Sequence, residues 1–155
     1  MKLEVAERQA KEIVGLLSPF CEKIMIVGSI RRKKSEVKDI DLVAIPKNRM
    51  ELQDQILRLG VCTQSGPKSM RVFHKETQVD IYFAMEETWG TLVLIRTGSA
   101  ENNRRLCSLA KRKGWQLKAG GEGLVDPKTG MKIAGDEESI FAALGLKYLP
   151  PEQRA

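Results

Sequence analysis

The spacing of apolar residues divides the chain into a part rich in short strands and a later part rich in helices. Residues 2–17 carry apolar side chains at helical spacing, which predicts an amphipathic helix ended by Ser18 and Pro19. A second helix is predicted over residues 49–59, closed by Gly60. Short runs rich in Val and Ile predict strands at residues 23–27, 39–45, 61–64, 70–74 and 77–83.

After Met85 the pattern becomes mainly helical. The predicted elements are helices at residues 88–95 and 100–112, a hairpin of strands at 115–118 and 123–125, and a helix that is capped by Asp136 and ends at residue 143. The proline-bearing tail from Leu149 leaves little room for further structure. We therefore predict an α+β fold, in which a mixed sheet covered by helices precedes a smaller α+β part.

Composition adds limits to this picture. With 155 residues, 42% of them hydrophobic and 30% charged, the chain can build one core or two small lobes. Its longest apolar stretches fall far below the roughly 18 residues of a membrane span, so no membrane partner is expected. The start of the chain lacks a signal-peptide pattern, and three cysteines with one histidine offer no zinc motif. These features predict a cytoplasmic protein.

The charge distribution points to a polyanionic partner. The formal net charge is +6, and residues 28–38 hold five basic side chains against one acid. Residues 96–118 hold seven basic side chains against one acid. Two separate basic clusters favour phosphate contacts, although a solvated charged face is the alternative when charge is considered alone.

Three acidic residues in apolar strands are candidates for catalysis. Asp39 and Asp41 are separated by one residue of a strand, so their side chains share a face with Cα atoms roughly 7 Å apart. Paired carboxylates need a counter-charge and suit hard cations such as Mg²⁺. Asp80 lies in another apolar strand, where a lone carboxylate is costly. Three such acids could hold two metal ions about 4 Å apart for in-line phosphoryl transfer.

A glycine-containing loop precedes the acidic pair. Gly28-Ser29-Ile30-Arg31-Arg32 follows a predicted strand directly and offers a flexible glycine, a hydroxyl, backbone N–H groups and two guanidinium groups. These are the donors that a polyphosphate cradle needs. A D-x-D pair alone is common, whereas this loop followed by Asp39-Ile40-Asp41 and a strand-borne Asp80 is far more specific.

This joint pattern resembles the signature of the family X DNA polymerases, within the DNA polymerase beta-like nucleotidyltransferase superfamily. Val79-Asp80-Ile81 is similar to the strand that carries the third carboxylate, and Thr97-Gly98-Ser99 with Asn103 resembles the turn and helix that hold the incoming nucleotide. The resemblance extends over nearly the whole chain. It implies a nucleotidyltransferase palm at residues 1–87 and a nucleotide-selecting, DNA-contacting subdomain at 88–155, which is the layout of the reduced form of the family.

The resemblance also implies roles for single residues. Asp39 and Asp41 would bind two Mg²⁺ ions, for which Mn²⁺ can substitute, and Asp80 would bind the catalytic ion and help deprotonate the primer 3′-hydroxyl. The implied nucleotide contacts are Gly28, Ser29 and Arg32 at the phosphates, Thr97 and Gly98 at the sugar, and Asn103 at the base. The position of the basic helix after this turn favours a duplex contact by Arg104, Arg105 and Lys111.

Three positions depart from the family pattern. Ile95-Arg96 replaces an aromatic pair, which predicts weak discrimination against ribonucleotides. Gln78 stands where relatives commonly have an arginine that pairs with the catalytic acid, and Cys107 stands where a template-contacting arginine is often found.

The sequence thus predicts a monomeric DNA-directed DNA polymerase that acts on primer-template or gapped DNA with nucleoside triphosphates, in short-gap repair synthesis. Two alternatives stay open. One is a nucleotidyltransferase of the same superfamily that modifies a protein or a small molecule, and the other is a DNA-end binder without catalysis.

Overall fold

The computed structural model describes all 155 residues, which divide into two compact units, Met1–Ala84 and Met85–Ala155. The first unit contains helices α1 (Leu3–Leu17), α2 (Gly28–Arg31) and α3 (Arg49–Leu57) and strands β1 (Cys21–Val27), β2 (Ile40–Pro46), β3 (Val61–Ser65), β4 (Ser69–His74) and β5 (Thr77–Phe83). The strands form one sheet in the order β1-β2-β5-β4-β3. Only β2 and β5 pair in parallel, and the other neighbours are antiparallel.

The core of the first unit lies on one face of this sheet. Buried residues of α1 recur every three or four positions and meet the apolar side chains that alternate along the strands. The residues that carry this packing are Ala6, Ala10, Ile13 and Leu17 of α1, Leu52 and Ile56 of α3, and Ile40, Leu42, Val79 and Ile81 of the central strands. Because successive strand residues point to opposite faces, the polar residues between them lie on the other face.

The second unit has its own core and its own small sheet. Its elements are α4 (Glu86–Thr97), α5 (Ala100–Arg112), β6 (Gln116–Lys118), β7 (Gly123–Val125), β8 (Lys132–Ala134) and α6 (Glu137–Ala143). The three strands pair antiparallel in chain order. Leu94, Leu106, Leu124, Ile140 and Phe141 are buried together between these elements. No helix of either unit combines the length and the apolar character that crossing a bilayer requires.

The predicted α+β class is confirmed, and every predicted helix and strand is present, with the predicted ends at residues 77–83, 100–112 and 123–125 and with shifted ends elsewhere. Four short elements were not predicted: α2, the three-residue strand β8, and the turns of 3-10 helix at Ser18–Phe20 and Pro151–Gln153. Each is too short to show a hydrophobic period. The predicted division after residue 87 lies within the first turn of α4, whereas the chain divides before Met85, whose backbone N–H donates to the Thr88 hydroxyl at 2.9 Å and so belongs with that helix.

Candidate active site

The polar face of the first sheet carries two of the candidate acids on adjacent strands. Asp41 of β2 lies directly beside Asp80 of β5 in the parallel pair, and Arg71 of β4 lies opposite Asp80 in the next, antiparallel pair. Residues paired in this way point to the same face, on strands roughly 4.8 Å apart. The sheet therefore aligns Asp41, Asp80 and Arg71 in one row.

Asp80 has a partner for each of its carboxylate oxygens. Arg71 Nε donates a hydrogen bond to Oδ1 at 2.7 Å, and Gln78 Nε2 donates to Oδ2 at 3.0 Å. The Asp80 residue is 6% exposed, so this ion pair compensates a buried charge. The hydrogen bond and the negative charge of Asp80 raise the pKa of the Arg71 guanidinium. Gln78 thus contributes a neutral contact, and the cation comes from a neighbouring strand.

Arg71 is the site residue that the sequence analysis missed. It could have been found by counting from the hairpin, because His74 pairs with Thr77 and each further step back along β4 matches one step forward along β5. That register brings Arg71 opposite Asp80. A hairpin register read from its tight turn is therefore the signal that identifies this ion pair.

The loop before α2 is built around the Asp41 carboxylate. Gly28 is buried, has a φ of +65°, and leaves no room for a Cβ, which would overlap Asp41 Oδ2 and lie 3.0 Å from Cγ. Burial lowers the pKa of the Arg32 guanidinium, while the negative charge of Asp41 acts in the opposite direction. Asp41 thus has Gly28 in close steric contact and the charge of Arg32 nearby.

The remainder of the loop is held by its own backbone. The amides of Arg32, Lys33 and Lys34 donate to the carbonyls of Gly28, Ile30 and Ser29 at 3.0 to 3.1 Å. The Ile30 side chain is buried in the core of the first unit. The Arg32 N–H, one of the donors expected in the phosphate cradle, is therefore used to close the turn, together with those of Lys33 and Lys34. Side-chain donors of the loop are Ser29, which is half-buried, and Arg32.

The three candidate acids have the chemistry that a hard divalent ion needs, but their carboxylates do not converge on one point. Asp39 is half-exposed just before β2, and its charge also favours the charged form of Arg71. No three His, Cys, Asp or Glu side chains of the chain are placed to hold one ion together. Carboxylate oxygens from Asp39, Asp41 and Asp80 are the donor set that Mg²⁺ and Mn²⁺ prefer. An ion held by Asp80 would meet a carboxylate whose two oxygens already accept hydrogen bonds from Arg71 and Gln78.

The predicted nucleotide turn of the second unit joins α4 to α5. Thr97, the last residue of α4, is fully buried, and Gly98 follows with a φ of +73°. The Ser99 hydroxyl caps α5 by accepting from the backbone N–H of Asn102 at 3.2 Å. Asn103 braces the turn, because its Nδ2 donates to the Ile95 carbonyl at 2.8 Å. The Asn103 Nδ2 is thus engaged within the protein while its buried Oδ1 has no hydrogen-bond partner, and the contact of Asn103 with a base stays a prediction.

Helix α5 presents basic side chains opposite its packed face. Asn102, Leu106 and Ala110 are buried on one side. The exposed side carries the three predicted DNA contacts and a further arginine, namely Arg104, Arg105, Lys111 and Arg112. Cys107 is exposed as well and is not in a disulfide, like the other two cysteines. The geometry therefore offers one basic stripe along a single helix.

Ile95 and Arg96 have opposite environments. The Ile95 side chain is packed in the core of the second unit and only 8% exposed. Arg96, the next residue of α4, is exposed. The Ile95 side chain thus fills the core and its carbonyl accepts the bond from Asn103, so Arg96 is the residue of this pair whose side chain is exposed.

Comparisons with known proteins find similarity to DNA polymerases. A family model described as the DNA polymerase beta thumb matches residues 92–155. The chain is 33% identical over 158 residues to the DNA polymerase/3′-5′ exonuclease PolX of Bacillus subtilis, a match that covers 96% of this chain and 27% of that protein. It is 26% identical over 162 residues to the repair DNA polymerase X of African swine fever virus, covering 97% of this chain and 92% of that protein.

A solved structure shares the fold. A crystal structure of Leishmania infantum polymerase beta in a ternary P/T complex matches with a TM-score of 0.81 and 19% identity, covering 100% of this chain and 76% of that one. The chain thus spans about a quarter of the length of the Bacillus relative and nearly all of the viral one. The chain is thus similar to DNA polymerases of family X, and its residues 92–155 match the family model of the DNA polymerase beta thumb.

Proposed function

We propose that the chain is a DNA polymerase that extends a primer 3′-end by phosphoryl transfer with two divalent ions, in short-gap repair synthesis. The observation that carries the proposal is the placement of Asp41 and Asp80 side by side on parallel strands, with the Gly28 loop against Asp41. The names of the Bacillus and viral relatives, a DNA polymerase/exonuclease and a repair DNA polymerase, support the same activity.

In this proposal the acids act on the primer 3′-hydroxyl and the metal ions, and the Gly28 loop acts on the outer phosphates of the nucleotide. Bound Mg²⁺ or Mn²⁺ would supply positive charge that stabilises the phosphates in the transition state. Asp39, Asp41 and Asp80 hold the ions, and a carboxylate oxygen of Asp80 receives the proton of the primer 3′-hydroxyl. Ser29 and Arg32 bind the outer phosphates of the nucleoside triphosphate, since a guanidinium offers two parallel N–H donors to phosphate oxygens.

The second unit would supply the contacts to sugar, base and DNA. Thr97 and Gly98 form the turn at the sugar, where the fully buried Thr97 holds the backbone in place, and Asn103 reaches the base after its Nδ2 leaves the Ile95 carbonyl. The basic stripe of α5, which includes Arg104, Arg105 and Lys111, binds DNA phosphates. These contacts position a duplex without reading its sequence. The acting species is proposed to be a monomer in the cytoplasm, where free cysteines such as those of this chain stay reduced.

Sugar selection belongs to the same proposal. The exposed Arg96, rather than the buried Ile95, is the side chain at this position that can meet a 2′-hydroxyl. An arginine can donate a hydrogen bond to that hydroxyl, whereas an aromatic ring would crowd it. Weak discrimination between deoxynucleotides and ribonucleotides is the expected result.

Extension of a labelled primer on gapped and ungapped templates, with each nucleotide in turn and with Mg²⁺, Mn²⁺ or EDTA, tests the function. The wild-type chain should extend the primer, and Asp80→Ala should lower turnover at least about a thousandfold while DNA binding persists. Asp54→Ala is the matched control, because Asp54 is exposed on α3 at the opposite face of the sheet.

The outcomes separate the alternatives. Near-normal primer extension by Asp80→Ala would reject the mechanism in which Asp80 binds a metal ion and accepts the proton. Transfer of nucleotide label to a protein or small molecule without primer extension would identify the other kind of nucleotidyltransferase. Tight binding to DNA ends with no transfer by the wild-type chain would identify a non-catalytic end binder.

A further inference from the structure

Arg71 donates a hydrogen bond to one of the candidate carboxylates, and it comes from a strand that the acidic motif does not include. Its Nε lies 2.7 Å from Asp80 Oδ1, and its charge also interacts with that of Asp39. The two partners differ in burial, since the Asp80 side chain is 9% exposed and the Arg71 side chain 40% exposed. Arg71 can therefore turn toward solvent, whereas Asp80 has little freedom to move.

The second partner of Asp80 cannot replace this charge. Gln78 Nε2 holds Oδ2 at 3.0 Å through a neutral amide. Gln78 alone would keep one oxygen in place but leave the carboxylate charge uncompensated beside Asp41 in the adjacent strand. The position two residues before Asp80, which points to the same face, is thus filled by a group without charge, and the positive charge is supplied from β4.

We propose that Arg71 is the positioning residue for Asp80, fixing the orientation of its carboxylate and neutralising it until a divalent ion takes that place. The inference rests on the proposed polymerase function, because it gives Arg71 a role in preparing the same acid. Arg71 holds Oδ1 in the absence of metal and yields it on ligation, while Gln78 keeps Oδ2 in place.

This role predicts two effects of opposite sign for Arg71→Gln. Removing a positive charge next to the acids should tighten Mn²⁺ binding to the protein without DNA, by several-fold to about tenfold, because the cation no longer competes with Arg71. Turnover should nevertheless fall by about tenfold or more, as it does when the groups that orient a metal ligand are removed. The KM for the nucleotide should stay within about twofold, since Arg71 is not a proposed phosphate contact.

The experiment measures Mn²⁺ binding by electron paramagnetic resonance on the intact chain, and kcat and KM by primer extension. Arg71→Lys keeps the charge and should keep Mn²⁺ affinity near that of the wild type. The double variant Arg71→Gln/Gln78→Arg returns a guanidinium to Asp80 from its own strand and should restore most of the turnover. Arg8→Gln is the matched control, because Arg8 is exposed on α1, which packs on the opposite face of the sheet.

Each outcome of these measurements supports or overturns the proposed role of Arg71. Opposite shifts in Mn²⁺ affinity and kcat, together with rescue by the double variant, support the proposal. Unchanged or weaker Mn²⁺ binding by Arg71→Gln, or a fall in melting temperature with kcat preserved, overturns it. If Arg71→Gln does not fold, the Mn²⁺ affinities of Arg71→Lys and of the double variant decide alone, and a large departure from wild type in both overturns the proposal. Primer extension by the Asp80→Ala variant would reject the polymerase mechanism itself. Loss of extension in Asp80→Ala, together with wild-type kcat and Mn²⁺ affinity in Arg71→Gln, would reject only the role of Arg71.

Discussion

Gly28 and Asp41 are in such close contact that a single methyl group on Gly28 would overlap the Asp41 carboxylate. The contact joins the loop that follows β1 to the acid on β2, where Val27 and Asp41 are paired. A residue that was expected to allow a phosphate to approach therefore has a second role. It leaves space for a carboxylate.

Replacing Gly28 by Ala should impair activity beyond its effect on stability. The φ of +65° disfavours any side chain by about 1–2 kcal/mol, and the added Cβ must also displace Asp41. We expect primer extension to fall at least about tenfold, since a misplaced metal ligand lowers metal affinity or activity on this scale. Urea unfolding and single-turnover extension measure the two effects separately.

Gly114→Ala is the control for Gly28→Ala. Gly114 has a φ of +77°, but a Cβ there would meet nothing within 4 Å. It should lose a similar free energy of unfolding and keep its activity. Equal activities of the two variants would contradict the role of the Gly28–Asp41 contact.

The basic stripe of α5 should control the salt dependence of DNA binding. Each phosphate neutralised on duplex DNA contributes about −0.9 to the slope of log K against log salt. Changing Arg104 and Arg105 to Ala should therefore make the slope shallower by up to about 1.8. Changing Arg8 and Arg58, which are exposed on the first unit, should leave it unaltered. A slope of log K against log salt that is unaltered by the Arg104 and Arg105 changes would exclude α5 as the DNA contact.

Sugar discrimination should respond to Arg96 and not to a ring built at Ile95. Ile95→Tyr would overfill the core of the second unit and cost about 1–3 kcal/mol of stability. Arg96→Phe instead places a ring on the exposed side and should raise the preference for deoxynucleotides by about tenfold, equivalent to about 1.4 kcal/mol. Single-turnover incorporation of matched nucleotide pairs measures the ratio.

The wild-type ratio is itself informative. A preference above about ten-thousandfold, or 5.5 kcal/mol, would show that another element excludes ribonucleotides. An unchanged ratio in Arg96→Phe would remove this residue from the sugar contact, provided that Arg8→Phe, a change at an exposed position of α1, behaves like the wild type.

The sequence was informative where local periodicity carries the signal. The apolar runs around Asp41 and Asp80 indicated two strands, and the apolar spacing of residues 2–17 indicated an amphipathic helix that packs on the core. The partner of Asp80 was missed because it depends on the register between β4 and β5, which no single strand encodes.

Burial was harder to infer than secondary structure. Ile95 and Arg96 are neighbours in one helix, and only the packing of that helix decides which of them faces the core. Arg154 is fully buried although it follows two prolines in a tail that was expected to carry little structure. A buried arginine needs partners from elsewhere in the chain, and composition gives no indication of them.

The N-cap of α6 makes a pH-dependent contribution. The Asp136 carboxylate accepts from the Ser139 backbone N–H at 2.8 Å, and this bond lowers the pKa of Asp136 from its ordinary 3.8. Asp136→Ala should cost about 1 kcal/mol at neutral pH. Because the folded pKa is the lower one, the stabilisation is complete above the ordinary pKa and is lost as the pH falls through the folded pKa. Urea unfolding in a series from pH 7 downward should show a difference between Asp136→Ala and wild type that is largest at pH 7 and shrinks as the pH falls below 3.8.

The second unit should also depend on the ion pair between Arg154 and Glu137. The Arg154 side chain has no exposed surface, donates from Nε to the Leu149 carbonyl at 2.9 Å, and lies 5.2 Å and 5.3 Å from the ring centroids of Phe141 and Tyr148. Glu137→Ala should cost about 3–5 kcal/mol, because it leaves a buried charge uncompensated.

Arg154→Met in the Glu137→Ala background should recover part of that loss, because it removes the uncompensated charge while keeping apolar volume against the Phe141 and Tyr148 rings. The two changes should therefore be strongly non-additive in a double-mutant cycle measured by urea unfolding. Glu138→Ala, an exposed change in the same first turn of α6, should cost much less than Glu137→Ala. Additive losses in the cycle would show that the pair contributes no coupling, and that packing of the arginine stem alone holds this end of the chain in place.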